Sequence, residues 1–241
     1  MRVIRAKDFT DMSRKAACIL AAQVVGKPCS VIGLATGDSP LGIYSLLAEW
    51  HSAGYIDFSQ AVTVNLDEYR GLPPDSVHSY RYFMETNLFS KININPVNTH
   101  VPAGLAEDTA TECARYDAVI ESAGGIDLQL LGIGFNGHIG FNEPSGSFIK
   151  NTHIADLTEN TMLMNSRHFD CAGDVPVQAY TVGIKPIIQA RRILLIASGT
   201  EKARIIRQAF YGDITPAVPA SILQLHPDLT VVGDEAALSL I

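Results

Sequence analysis

The chain alternates between two kinds of apolar pattern. CSVIGLA (29–35), AVTVNL (61–66), IDLQLLGI (126–133), RILLIAS (192–198) and LTVVG (229–233) are short runs rich in Val, Ile and Leu. Runs of this length, apolar at odd and even positions alike, predict strands covered on both faces, as in a parallel sheet. Between them, DMSRKAACILAAQVV, LGIYSLLAEWHSAG, DTATECARYDAVIESAG and TEKARIIRQAFYG space their apolar residues as amphipathic helices do. Gly54, Gly124 and Gly212 stand where three of these helices are expected to end on a residue of positive φ. Alternation of this kind predicts an α/β fold, an open doubly wound (Rossmann-like) and mostly parallel sheet flanked by helices. No low-complexity linker or repeat divides the chain, so residues 1–241 are expected to form a single domain. The stretch 140–180 breaks the rhythm. It is rich in Asn, Thr, Ser and Gly and predicts a long excursion rather than a plain crossover.

Composition narrows the range of functions. Apolar residues make up 47% of the chain, enough for a sizeable core, and charged residues only 18%, which fits much buried sheet. The net charge of −7 argues against nucleic acid and against acidic membranes, both of which need a basic face. A small anionic substrate stays open, because a few local donors override a global sign. Cys18, Cys29, Cys113 and Cys171 form no C-x-x-C pair, which argues against a zinc site and fits free thiols in the cytoplasm. The N-terminus MRVIRAKDFTDM carries charges throughout, unlike a secretory signal. No apolar run approaches the ~20 residues that span a bilayer.

In doubly wound sheets ligands sit outside the C-terminal ends of the strands. After the first run comes Thr36-Gly37-Asp38-Ser39-Pro40. Ser39 as N-cap and Pro40 at the first helical position would make this turn a helix N-terminus suited to an anion. It lacks the spacing of a Walker loop, and an ordinary capped helix is the competing reading. Gly37-Asp38-Ser39 as a hydrolase nucleophile motif is weaker, since a capping Ser is poorly free to attack. After the second run, Asp67 and Glu68 place two carboxylates at a strand mouth. Side chains alternate along a strand, so one of the two is expected to face the cleft, where it can serve proton transfer; a solvated loop end is the competing reading and, on this stretch alone, the favoured one.

LLGIGFNGHIGFNEP (130–144) contains Gly132-x-Gly134-x-x-Gly137, the spacing of a dinucleotide fingerprint. That reading requires Gly137 to open a helix. Gly140, Pro144 and Gly146 follow at once, so a compact loop is expected instead. Within it His138 and Glu143 can meet, with Asn136 two residues before the His. A carboxylate beside an imidazole sets its tautomer and raises its basicity. Ser198-Gly199-Thr200-Glu201-Lys202 is expected to open a helix directly after a strand. Arg167, in the irregular excursion, and Lys202 are candidate phosphate-binding cations; solvated surface charge is the commoner fate of either type.

LATGDSP, NLDEY, LGIGFNGHIGFNEP, TVGI (181–184), SGTEKA and PASILQLH occur in this order over nearly the whole chain. Together they resemble the glucosamine-6-phosphate deaminase family, within the wider glucosamine-6-phosphate isomerase/6-phosphogluconolactonase superfamily. The resemblance implies conversion of glucosamine 6-phosphate and water to fructose 6-phosphate and ammonia, a hydrolase-class reaction, with no metal or organic cofactor. It implies that Thr36, Gly37, Asp38 and Ser39 form part of the phosphate site, joined by Arg167 and Lys202. Asp67 would be the base at C2, and His138 would relay the proton of ring opening, tuned by Glu143 and Asn136. The segment around Arg167 would belong to a lid.

Two positions depart from the family pattern. Asp38 stands where a small or hydroxyl residue is usual, and Asn136 where some longer relatives carry Asp. The chain also ends at Ile241, without the C-terminal extension of the hexameric, allosterically activated members, so a cytoplasmic monomer without that activation is expected, with a homo-oligomer as the alternative. A galactosamine 6-phosphate deaminase, a 6-phosphogluconolactonase and a non-catalytic sugar-phosphate sensor are the alternatives.

Overall fold

A computed structural model describes residues 1–158, 161–163, 166, 169 and 175–241. Its strands are β1 (Arg2–Ala6), β2 (Val31–Leu34), β3 (Val62–Asn65), β4 (Asp67–Tyr69), β5 (Thr99–His100), β6 (Leu128–Leu131), β7 (His153–Asp156), β8 (Gln178–Thr181), β9 (Arg192–Ala197) and β10 (Leu229–Asp234). Its helices are α1 (Phe9–Gly26), α2 (Leu41–Ser52), α3 (Tyr80–Asn87), α4 (Thr109–Ser122), α5 (Ile184–Ile188) and α6 (Ala203–Tyr211). All five predicted strand runs are strands of one seven-stranded sheet, in the order β1-β10-β9-β6-β2-β3-β5, and every pairing in it is parallel.

The strand side chains explain why the runs are continuously apolar. Ile32, Leu128, Leu130, Leu194 and Ile196 join one core cluster with Met12, Ala16 and Leu20 of α1, Ile43 and Leu47 of α2, and Met84 of α3. Val31, Leu131, Ile193 and Leu195 join the opposite cluster with Tyr116 and Ile120 of α4 and Ile205 and Ile206 of α6. Both faces of the sheet are therefore buried, and burial of each aliphatic side chain contributes about 1.5–3 kcal/mol.

Several local features differ from expectation. A second sheet, the antiparallel β4-β8-β7, was not visible in the apolar pattern, because its strands are three or four residues long and carry Asp, Glu, His and Gln. It occupies part of the predicted excursion. Helix α2 begins at Leu41, with Pro40 rather than Ser39 at the N-cap and no side-chain cap. The reason is a turn in which Leu41 N–H donates to the Asp38 carbonyl at 3.3 Å, so that Ser39 lies inside the turn. Gly54 and Gly124 have φ of 80° and 85° as expected. Gly212 does not: its φ is −97° and the chain leaves α6 extended. A Cβ there would lie 2.6 Å from the Gln208 carbonyl oxygen, so close backbone approach explains this glycine. Among the described residues no helix is long and apolar enough to cross a membrane.

Candidate active site

Strands β9, β6, β2 and β3 are neighbours in the parallel sheet, so the segments that follow them emerge side by side at its C-terminal edge. Chain progression reverses here, with β3 and β5 on one side of β2 and β6, β9 and β10 on the other, which is where such sheets bind ligands. The segments enclose a cleft of about 190 Å³ lined by Thr36, Gly37, Asp38 and Ser39, by Asp67, by His138 and by Lys202. Asn136 and Glu143 do not line it and lie behind His138. Arg167 falls outside the described residues.

Asp67 is 6% exposed, and its Oδ1 has no hydrogen-bond partner in the protein. Burial pushes its carboxyl up to about 8, the nearby Glu68 carboxyl adds to the rise, and a hydrogen bond with Thr36 opposes it. Of the adjacent pair only Asp67 lines the cleft. The Glu68 carboxylate turns the other way and accepts the backbone N–H groups of Tyr69 (2.9 Å), Tyr80 (2.8 Å) and Arg81 (2.9 Å). One face to each carboxylate is what strand alternation requires.

The loop after β6 forms no helix at Gly137, so the dinucleotide reading is excluded by the local backbone. Gly134 N–H donates to the His138 carbonyl at 2.9 Å, and the His138 ring folds back over Gly134. A Cβ on Gly134 would lie 2.3 Å from His138 Cε1, so only glycine admits the ring there. His138 Nδ1 stands 3.4 Å from Glu143 Oε1, an ion-pair separation longer than a well-formed hydrogen bond. Glu143 Oε2 accepts from Asn136 Nδ2 at 2.6 Å, and Oε1 accepts from the Thr161 hydroxyl at 2.5 Å. Burial alone would raise the Glu143 carboxyl, but His138, Thr161 and Asn136 together hold it below the usual carboxylate range. Glu143 is thus a fixed anion beside Nδ1, which favours a proton there and leaves Nε2 to accept or donate.

Facing this loop, Gly199 takes φ of 97° and a short 3-10 turn, Thr200–Lys202, leads into α6. Asp234, at the end of β10, holds this turn by accepting from Ser198 Oγ and the Gly199 N–H. The Lys202 ammonium lies 3.6 Å above the Phe135 ring and donates to the Ile133 carbonyl at 2.8 Å. It lines the same cleft as the Thr36–Ser39 turn. The Asp38 side chain is exposed at the rim. Tyr80 and Thr161 also line the cleft and were not singled out from the sequence. Neither carries a local signal, since Thr161 meets Glu143 across 18 positions. Among the described residues no group of three His, Cys, Asp or Glu side chains is placed to hold a metal ion.

The family model for glucosamine-6-phosphate isomerases/6-phosphogluconolactonase matches residues 9–231. A glucosamine-6-phosphate deaminase from Lachnoclostridium phytofermentans is 60% identical over 232 residues, 96% of this chain and 98% of that protein. Another, from Halothermothrix orenii, is 51% identical over the full length of both. A solved structure described as a monomeric glucosamine-6-phosphate deaminase superposes with a TM-score of 0.97 at 43% identity, over 100% of each chain. A 6-phosphogluconolactonase from Trypanosoma cruzi shares the fold, with a TM-score of 0.80 at 17% identity over 99% of this chain and 96% of that one. By match, coverage and architecture, the chain belongs to the glucosamine-6-phosphate isomerase/6-phosphogluconolactonase family and, within it, to the glucosamine-6-phosphate deaminases.

Proposed function

We propose that residues 1–241 form one catalytic domain that converts glucosamine 6-phosphate and water to fructose 6-phosphate and ammonia. The observation that carries this reading is the placement of Asp67, a buried carboxylate with one unpartnered oxygen, in the same cleft as the His138–Glu143 pair. The closed sugar must first open, which moves a proton between O1 and the ring oxygen. His138, with Glu143 and Asn136 behind it, is the group for that relay. Opening leaves a C2 hydrogen beside an aldehyde. Asp67 removes that proton and returns it at C1, and its raised pKa makes it a stronger base than an ordinary carboxylate. Protonation at C1 leaves an imine at C2; water adds to it to form the carbinolamine, and this expels ammonia to leave the C2 ketone. In stoichiometry this consumes water as a hydrolase does, and in its bond changes it is an aldose–ketose isomerisation.

The phosphate is assigned to the Thr36–Ser39 turn and Lys202, with Arg167 as a further cation. It is remote from the reacting carbons, so its binding energy serves orientation. The same reading makes the protein a cytoplasmic monomer. The free thiols of Cys18, Cys29 and Cys113 and the relative described as monomeric support it.

The test is ammonia release by the purified protein, without added metal, from glucosamine 6-phosphate and galactosamine 6-phosphate in parallel, with 6-phosphogluconolactone hydrolysis as a third arm. Ammonia and fructose 6-phosphate from the glucosamine compound are expected. Ammonia from the galactosamine compound alone would keep the chemistry and move the specificity. Lactone hydrolysis without ammonia would overturn the reading.

A further inference from the structure

Glu68 is a buried acid that the proposed chemistry leaves unused. It is 2% exposed and belongs to the three-residue strand β4 that also carries Asp67. Its carboxylate accepts three backbone N–H groups, two of them from Tyr80 and Arg81, the first residues of α3. Ser79 caps the same helix by accepting from Tyr82 N–H, so Glu68 serves donors that the local cap leaves open. The consequence reaches the cleft through Tyr80. Its ring stacks on Phe141 at a centroid distance of 6.1 Å and an interplanar angle of 10°, its hydroxyl donates to the Tyr69 hydroxyl at 3.3 Å, and it lines the cleft beside Asp67.

We propose that Glu68 is a positioning residue for the reaction: from the far face of β4 it clamps the first turn of α3, and with it Tyr80, to the strand that carries Asp67, and it holds a second carboxylate beside that base. The proposal rests on the reading of Asp67 as the base. Burial pushes the Glu68 carboxyl up to about 7, and the three converging N–H groups and the Arg81 guanidinium oppose that rise, so Glu68 ionises before Asp67, which stands at about 8. The Glu68 charge acts on Asp67 alongside Tyr44 of α2, Tyr80 of α3 and Tyr116 of α4, all uncharged phenols at neutral pH, with His138, Asp38 and Lys202 lining the same cleft. On its own side Glu68 is faced by Arg81, Arg115 and His100. A like charge next to a buried base makes that base harder to ionise and a better proton acceptor.

The test compares Glu68→Gln, which keeps the reach and removes the charge, with Glu68→Asp, which keeps the charge and shortens the reach. Asp67→Asn is run beside them, and kcat and kcat/KM are recorded against pH. For Glu68→Gln the acid limb of kcat/KM is expected to move down by on the order of one pH unit, a tenfold change in ionised base at a fixed acid pH, with a lower plateau. For Glu68→Asp the limb is expected to stay and kcat to fall, because the Tyr80 wall loosens. A folded Glu68→Gln with the wild-type limb and kcat would overturn the proposal. If Glu68→Gln does not fold, Glu68→Asp carries the test, and an unchanged kcat or a displaced limb there would overturn it. An active Asp67→Asn would instead remove the underlying base assignment, so the two failures are distinguishable.

Discussion

Replacing Asp67 with Asn removes a buried ionisable group at nearly constant volume, and its effects on stability and on turnover should have opposite signs. The carboxyl is raised to about 8 in the folded protein, chiefly by burial, against about 3.9 for an unperturbed Asp. Between these values the folded state binds more protons than the unfolded state, so wild-type stability falls as pH rises. The contribution is fully present below about pH 4 and is lost by the time pH passes the folded value. Each unit is worth about 1.4 kcal/mol, which sets a ceiling of about 4 kcal/mol at pH 7. The Asn amide brings its own imperfectly satisfied donors, at a cost of about 1–3 kcal/mol. A net stabilisation of about 1–3 kcal/mol at pH 7 remains, or several degrees in Tm for a chain of this size. In the same protein kcat should drop by about 10²–10⁴, the range for a positioned general base. Urea melts of both proteins at pH 5, 6, 7 and 8, with kcat at each pH, would measure both effects. The reasoning is refuted if the stability difference is flat or shrinks with rising pH, or if kcat is unchanged.

Lys202→Ala should mainly raise KM, since it removes binding remote from the reacting carbons; a fall in kcat at constant KM would refute the phosphate assignment. Gly134→Ala places a Cβ 2.3 Å from His138 Cε1, so the ring must move, and kcat is expected to fall by about 10²-fold, with wild-type kcat ruling out the ring's role. Asp127, 3% exposed, accepts from Val31 N–H, Lys27 and Arg191 at the N-terminal edge of the sheet, opposite the cleft. Asp127→Ala should lower stability by about 1–3 kcal/mol in chemical denaturation and leave kcat/KM unchanged.

Much of the frame was legible in the residue order. Five apolar runs became five adjacent strands because a parallel sheet covered on both faces leaves no polar alternation to blur the signal. The strand-end rule then pointed to the turn at Thr36–Ser39, to Asp67, to the His138 loop and to Lys202, and these converge on one cleft. The glycines and proline after Gly137 were enough to reject a dinucleotide loop, since they cannot continue a helix. Helix ends were less secure. Ser39 and Gly212 carried the right residue types, but a turn from Asp38 and a close approach to Gln208 decided their geometry.

Tertiary contact alone decided the rest. In the antiparallel sheet β4 pairs with β8 across more than 100 positions, and the short polar strands β4, β8 and β7 have no period to read. Thr161 reaches Glu143, Asp234 holds the Gly199 turn, and Phe135 lies under Lys202, each through the folding back of loops whose composition predicts only that they are loops. The two neighbouring acids make the division plainest. Strand alternation in the sequence required Asp67 and Glu68 to face apart. Which one met the cleft depended on where α3 docked, because the N–H groups of its first turn needed an anion, and Glu68 was the acid on that side.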